Sequence, residues 1–139
     1  IFTPHPGEMA RLLRSRIAST AAERVTQVED LQQKTAGVCL LKGPQTLVCG
    51  AEQTYQNTTG GPSLAKAGSG DVLAGVIAGL WAQAGSQKGF LNTALPAACC
   101  GVYLHGLAGD LAARKRTDYG VLARDTAACV PEAFGEILK

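Results

Sequence analysis

The sequence predicts an α/β domain, in which short apolar strands alternate with amphipathic helices. Two apolar runs, residues 38–41 and 46–49, have the length and composition of buried strands. Residues 20–36 show helical apolar spacing and open with a Thr-x-x-Glu capping box. A glycine-rich loop near Gly70 leads directly into an apolar helix, as in α/β proteins that bind anions.

Length and composition favour one globular domain and give no indication of a nucleic-acid or membrane partner. The chain has 139 residues, of which 46% are hydrophobic and 17% charged. A formal net charge of +2 gives no reason to expect nucleic acid or an anionic membrane surface. No apolar run approaches the ~20 residues of a membrane span. Five cysteines without a Cys-x-x-Cys spacing predict reduced thiols and a cytoplasmic setting, or an organelle in a eukaryote.

The first residues resemble the end of a strand followed by a stiff loop. Because there is no initiator Met and residues 1–2 are apolar, we expect the chain to begin inside a structural element. His5 lies between two prolines, which restrict the loop around it. Two interpretations stay open. The loop is a rigid turn with Glu8 at a helix start, or it presents His5 to a ligand at the carboxyl end of a strand.

The remaining elements follow from periodicity and from helix start and stop signals. Further helices are predicted over residues 8–14, 70–84, 92–114 and 123–138, and an exposed third strand over residues 53–57. Gly75 and Gly79 each cost about 1 kcal/mol relative to Ala inside a helix, which predicts close packing against a neighbour. We expect His105 and Asp110 to form a buried polar pair satisfied by neighbours.

The loop before the third predicted helix has the properties of an anion site. Free backbone N–H groups and the helix dipole favour a negative charge there. A P-loop is excluded because Gly70 is followed by Asp, and a dinucleotide fingerprint is excluded because the third glycine is missing at Leu73. What remains is a Gly-x-Gly-Asp helix start, as in kinases that combine an anion hole with a carboxylate base.

This interpretation assigns chemical roles to the loop. The N–H groups of residues 67–70 would bind a transferring phosphoryl group, so Gly68, Ser69 and Gly70 are candidate catalytic residues, each donor contributing about 3–4 kcal/mol. Asp71 would take a proton from the attacking hydroxyl, with an effect on rate of about 10²–10⁴. Its alternative role is to complement the helix dipole, which contributes about 0.3–1 kcal/mol. Lys42 follows a strand, where it contacts a phosphate or is a surface charge beside a turn.

Three separated segments, taken in order, resemble the ADP/ATP-dependent NAD(P)H-hydrate dehydratase family. They are Thr3-Pro-His-Pro-Gly-Glu8, Leu41-Lys-Gly-Pro-Gln-Thr46 and Leu64-Ala-Lys-Ala-Gly-Ser-Gly-Asp-Val-Leu-Ala-Gly75. Residues 105–110 and 120–125 are similar to later segments of the family. The resemblance implies a ribokinase-like, three-layer α/β/α fold. Residues 1–139 would then be a single partial domain, its C-terminal half, with a few strands and four or five helices.

The resemblance also implies an enzyme, a carbon–oxygen lyase of the hydro-lyase class that repairs nicotinamide nucleotides. Such enzymes dehydrate the S epimer of hydrated NADH or NADPH with ADP or ATP, through phosphorylation of the ring hydroxyl and loss of phosphate; Mg²⁺ is expected with the nucleotide. By motif position, His5 and Asp71 would contact the hydrated nicotinamide nucleotide. The adenine nucleotide would contact Lys42, Gly43, Pro44, Gln45, Thr46 and Gly70.

The chain departs from the family pattern in two respects. It has Gly60-Gly61 where the family usually has Gly-Asn, and it lacks the N-terminal half of the domain. We therefore expect the missing half or a homo-oligomer partner to cover the open side of the sheet, with an epimerase domain as a further partner. Two alternatives remain: a ribokinase-like kinase of a vitamin-precursor alcohol, and a non-catalytic nucleotide-binding fragment.

Overall fold

A computed structural model describes residues 1–88 and 90–139. Within them the chain forms five α-helices, three short strands and one 3₁₀ turn. The helices are α1 (Pro6–Leu13), α2 (Ala21–Thr35), α3 (Ser69–Lys88), α4 (Phe90–Gly120) and α5 (Ala123–Ile137). The strands are β1 (Cys39–Leu41), β2 (Leu47–Cys49) and β3 (Thr54–Gln56), and the 3₁₀ turn is Pro62–Leu64. The predicted α/β class is confirmed.

The sheet is antiparallel, with strand order β1-β2-β3. Phe2 forms an isolated parallel bridge to Cys39 on the other side of β1, so that β1 is flanked on both sides. Every residue of β1 and β2 is buried, whereas β3 is partly exposed. The prediction of two buried strands and an exposed third one is therefore confirmed.

Helices cover both faces of this sheet. Because successive strand side chains point to opposite faces, Leu41 packs with Met9 and Val28 from α1 and α2, whereas Leu40 packs with Ile77 of α3. Residues of α4 join the second cluster. The result is the predicted three-layer α/β/α arrangement.

The long helix α4 differs from its predicted form. It begins at Phe90 rather than at residue 92, so Pro96 lies in the second turn, and it ends at Gly120 rather than at residue 114. A non-helical residue, Thr117 (φ 63°, ψ 161°), interrupts it near the end. Cap preferences are weak where packing decides, and α4 is held by α3 and α5 along its length. No helix of the described residues is long and apolar enough to span a membrane.

Among the described residues, close backbone approaches occur at glycines of α4, and not at Gly75 and Gly79 of α3. An added Cβ would find no atom within 4 Å at Gly75 or Gly79, so the expected close packing of these residues is wrong for the described chain. At Gly101, a Cβ would lie 2.4 Å from Cγ1 of Ile77. At Gly106 it would lie 2.2 Å from Oγ1 of Thr59 and 2.7 Å from its carbonyl. These glycines let α3 and residues 57–61 pack directly on α4.

The substitution Gly106→Ala is expected to lower the free energy of unfolding by about 1–3 kcal/mol, because the new methyl group meets the Thr59 backbone. Gly79→Ala is the matched control. It should raise that free energy by up to about 1 kcal/mol, since Ala is the better helix former and nothing lies nearby. Denaturant titration measures both. If both substitutions stabilise the protein, the close approach at Gly106 does not exist.

Candidate functional site

A cavity of about 750 Å³ opens where five segments meet. It is bounded by the loop before α1, the β1–β2 turn, residues 57–66, the start of α3 and the middle of α4. Most of the predicted site residues line it: His5, Lys42, Gly43, Pro44, Gln45, Thr46, Ser69 and Gly70. The fold therefore brings together all three sequence segments that were singled out separately.

Two predicted residues do not line this cavity. Asp71 is exposed on the first turn of α3, next to Gly70, and its N–H donates to the Gly68 carbonyl at 3.1 Å. Gly68 has φ +84°, a left-handed conformation that favours glycine. The role of Asp71 as a base stays a prediction, because its carboxylate is solvent-exposed beside the cavity rather than inside it.

The start of α3 offers fewer free donors than predicted. The Ser69 N–H donates to the Lys66 carbonyl at 3.2 Å. For Ala67, Gly68 and Gly70, the described residues provide no hydrogen-bond partner to the N–H group. Three of the four predicted donors thus remain available to an anion, aided by the helix dipole.

Lys42 brings a positive charge to the same point. Its Nζ lies 3.1 Å from the position that a Cβ of Gly70 would occupy, so the absence of a side chain there leaves room for the ammonium. The Lys42 N–H donates to the Pro4 carbonyl at 3.0 Å, which ties the end of β1 to the first loop. A cation beside the positive end of a helix is unfavourable by itself, and an anion between them would relieve this repulsion.

His5 has a structural role that sequence spacing did not show. Its Nδ1 accepts hydrogen bonds from the N–H groups of Gly7 (3.0 Å) and Glu8 (3.2 Å), and so caps α1. In return, Glu8 Oε2 accepts from the His5 N–H at 2.7 Å, which completes a capping box. Since Nδ1 is an acceptor, the neutral ring carries its proton on Nε2. His5 thus terminates a helix and lines the cavity at once.

Glu8 connects this cap to the cation. Its second carboxylate oxygen lies 3.4 Å from His5 Nε2, and Oε2 lies 3.9 Å from Lys42 Nζ. The hydrogen bond from the His5 backbone N–H is the main cause that lowers the pKa of Glu8; burial opposes it, and the Lys42 charge adds a smaller lowering effect. Glu8 is therefore ionised at neutral pH and holds the Lys42 ammonium towards the cavity.

The β1–β2 turn is braced from two sides. Arg24 of α2 donates from Nη1 to the Pro44 carbonyl at 2.6 Å, and Gln56 of β3 donates to the Gln45 side chain at 2.8 Å. Thr46 donates through its hydroxyl to the Gly43 carbonyl at 3.1 Å. No sequence pattern pointed to Arg24, because α2 has the features of a scaffold helix.

Residues 57–61 form the opposite wall and are anchored on α4. Asn57, which is buried, donates to the carbonyls of Thr59 (3.0 Å) and Val102 (3.3 Å). Asp110 accepts from the Gly60 N–H at 2.9 Å. Asp110 is therefore satisfied by a neighbour, as expected, but it is only partly buried and the structure does not pair it with His105. In the sequence, the polar residues that follow β3 are the feature that could have indicated this wall.

His105 lies on the cavity side of α4, and its pair is Ser69. Its Nε2 is 3.3 Å from Ser69 Oγ, and both residues are 6% exposed. Burial lowers the pKa of His105, and a hydrogen bond to the Ser69 backbone opposes this effect. His105 is thus a neutral, buried imidazole that borders the site.

Comparisons with known proteins agree with this geometry. A family model described as NAD(P)H-hydrate dehydratase matches residues 1–132. The chain is 45% identical over 126 residues to the bifunctional NAD(P)H-hydrate repair enzyme Nnr of Moorella thermoacetica, covering 90% of this chain and 22% of that protein. It is 41% identical over 112 residues to the ADP-dependent (S)-NAD(P)H-hydrate dehydratase of Neisseria meningitidis, covering 80% and 36%.

Solved structures show the same relationship. The ADP/ATP-dependent NAD(P)H-hydrate dehydratase of Bacillus subtilis, co-crystallised with ATP/Mg²⁺, matches with a TM-score of 0.80 and 26% identity, covering 96% of this chain and 46% of that one. A ribokinase-like superfamily protein of Enterococcus faecalis matches with a TM-score of 0.76 and 36% identity, covering 97% and 43%. The chain spans less than half the length of these structures, and 22–36% of the two relatives above. It belongs to the NAD(P)H-hydrate dehydratase family.

Proposed function

We propose that the protein containing this chain is a hydro-lyase that dehydrates the S epimer of hydrated NADH or NADPH and uses ADP or ATP. One observation carries the proposal: the His5 loop, the Lys42 turn and the helix start at Gly70 border a single cavity. The names of the Neisseria and Bacillus relatives, which specify this activity, support it.

The phosphate end of the nucleotide would lie at the start of α3. There the Lys42 ammonium and the available N–H groups around Gly70 converge. Fixed donors of this kind stabilise the negative charge of a transferring phosphoryl group, because they need no reorganisation during the reaction. The adenosine part would contact residues 43–46, whose conformation Arg24 and Gln56 hold.

The hydrated nicotinamide ring would lie between His5 and Asp71. Asp71 would take the proton of the ring hydroxyl as the hydroxyl oxygen attacks the terminal phosphorus of the donor, whose bond to the bridging oxygen breaks and releases AMP from ADP, or ADP from ATP. The C–O bond of the phosphorylated hydroxyl then breaks, phosphate leaves, and loss of a proton from the adjacent ring carbon restores the double bond. Because Asp71 is solvent-exposed in this chain, we infer that residues outside these 139 complete the substrate side.

The expected Mg²⁺ would be bound mainly by the phosphates of the nucleotide rather than by protein side chains. Across residues 1–88 and 90–139, no group of three or more His, Cys, Asp or Glu side chains is placed to hold a metal. Mg²⁺ commonly binds to substrate phosphates and water with only one or two carboxylates, so a dedicated protein cage is not required. When bound, the metal would neutralise phosphate charge.

Helices cover both faces of the sheet, and we infer that other parts of the protein cover its open edge beside Phe2. Phe2 and Leu12 are 43% and 53% exposed and line a shallow groove beside the first loop. The rest of the catalytic domain, or a homo-oligomeric partner, would cover them. The bifunctional names of several relatives support a second domain in the same pathway, which we propose to be an epimerase. We further propose a cytoplasmic location.

Incubation of the full-length protein with hydrated NADH, Mg²⁺ and either ADP or ATP tests the function. We expect NADH absorbance to recover with at least one nucleotide and not without nucleotide, and the comparison identifies the donor. Accumulation of a phosphorylated alcohol from a vitamin precursor, without recovery of NADH, would indicate a kinase instead. Nucleotide binding without any turnover would indicate a non-catalytic protein.

The substitution Asp71→Asn tests the base. It should lower turnover by about 10²–10⁴. The free energy of unfolding should fall by no more than about 0.3–1 kcal/mol, the contribution of a charge to the helix dipole. Asp118→Asn, at an exposed position on α4 that does not line the cavity, is the control and should retain full turnover. Turnover that persists in Asp71→Asn would remove Asp71 from the reaction.

Two substitutions of His5 separate its cap from its proposed contact with substrate. His5→Ala should lower the free energy of unfolding by about 0.5–2 kcal/mol, as other lost N-caps do, and should raise KM for hydrated NADH. His5→Asn should keep the stability, because Asn is a good N-cap, yet show the same raised KM. Wild-type KM in the Asn variant would mean that His5 acts only as a cap.

A further inference from the structure

A buried polar pair beneath the start of α3 has no part in the function described so far. Ser69 and His105 are both 6% exposed, both line the cavity, and Ser69 Oγ lies 3.3 Å from His105 Nε2. Buried polar side chains are costly unless they are hydrogen-bonded, so each needs the other. The pair lies directly beside Gly70, where the phosphate would bind.

Ser69 can serve an anion only through its side chain. Its backbone N–H already donates to the Lys66 carbonyl at 3.2 Å. A hydroxyl has one proton to donate and lone pairs to accept with. If that proton pointed to His105, the oxygen would present only lone pairs to a bound phosphate, which is repulsive. If His105 donates instead, the proton of Ser69 is free to turn into the cavity.

The surroundings of His105 favour the second arrangement. Burial lowers its pKa, so the ring is neutral at pH 7 and carries a single N–H. The distance of 3.3 Å between Ser69 Oγ and His105 Nε2 suits donation in either direction, so the charge that the cavity has to bind decides which atom donates. Lys42 Nζ and the available N–H groups near Gly70 make the adjacent space suitable for negative charge.

We propose that the Ser69 hydroxyl is a further donor to the nucleotide phosphate and that His105 is a positioning residue, which fixes this hydroxyl by donating to it from Nε2. The inference rests on the proposed function only in taking the anion to be a nucleotide phosphate. It replaces the predicted role of the Ser69 backbone N–H with a role of its side chain.

Calorimetric titration of the full-length protein with ADP, and separately with inorganic phosphate, tests the donor. Ser69→Ala should weaken ADP binding about tenfold to hundredfold, the range for a hydrogen bond to a charged group. Ser86→Ala is the control, because this serine of the same helix is exposed and its hydroxyl donates to the Gln83 carbonyl. The control variant should bind ADP like the wild type. Wild-type affinity in Ser69→Ala would overturn the proposal.

Variants of His105 test whether it acts through Ser69. His105→Phe should weaken ADP binding about as much as Ser69→Ala, and the double variant should be no weaker than either single one. His105→Gln, whose amide can donate from a similar position, should recover affinity to within about threefold of the wild type. Additive losses in the double variant, or no recovery with Gln in a protein of wild-type melting temperature, would contradict the positioning role.

The tautomer of His105 gives a test that is read from the wild-type protein and does not depend on the affinity of a variant. Nitrogen NMR of the wild-type imidazoles, with ADP absent and present, should show the His105 proton on Nε2. The His105→Gln spectrum identifies the signal. A proton on Nδ1 would overturn the proposal. If the wild type binds ADP but does not dehydrate hydrated NADH, the proposed function fails and these binding tests still decide the roles of Ser69 and His105.

Discussion

The arrangement depends on one electrostatic constraint: a lysine ammonium is held beside the positive end of a helix. Lys42 Nζ lies next to Gly70, where backbone N–H groups lack partners among the described residues. Separately, each feature is common on protein surfaces. Together they concentrate positive potential at one wall of a cavity, and Glu8 offsets only part of it from 3.9 Å away. The remaining imbalance is what suits this site to phosphate.

The rest of the fold keeps that charge in place. Two walls of the cavity are tied to side chains that do not line it: Arg24 of α2 holds the β1–β2 turn, and Asp110 of α4 holds Gly60. Close packing at Gly106 presses residues 57–61 onto α4. Such braces limit the motion of donors, and a fixed donor stabilises a developing charge better than a mobile one.

Features of the site that depend on local sequence could be predicted. Features that depend on contacts between segments distant in the sequence could not. The helix start at Ser69, the hairpin after Lys42 and the capping box at Thr20 follow from residue type and spacing. The three-layer fold followed from the resemblance. In contrast, the small residues Gly75 and Gly79 had the same local signature as Gly106, but only Gly106 meets a neighbour. Spacing cannot tell which face of a glycine-rich helix is approached.

The same limit applies to hydrogen bonds within the site. No sequence pattern indicates that the Ser69 N–H donates to the Lys66 carbonyl, or that Arg24 donates to the Pro44 carbonyl in the β1–β2 turn. Both hydrogen bonds depend on the path of a loop. Asp71 remains a prediction for a related reason. Its spacing places it on the first turn of α3, where its side chain is exposed, so no contact within the described residues assigns it a role.

The cap at α1 has a consequence for molecular recognition. Since Nδ1 of His5 is occupied by the N–H groups of Gly7 and Glu8, the neutral ring has only its Nε2–H for the cavity, and Glu8 Oε1 lies 3.4 Å from the same nitrogen. It therefore selects ligand atoms by hydrogen-bond polarity. Hydroxyl, carbonyl and phosphate oxygens are accepted as partners, whereas a group that can only donate finds no acceptor on this ring. The cap of a helix thus determines whether a ligand atom beside His5 must accept or donate a hydrogen bond.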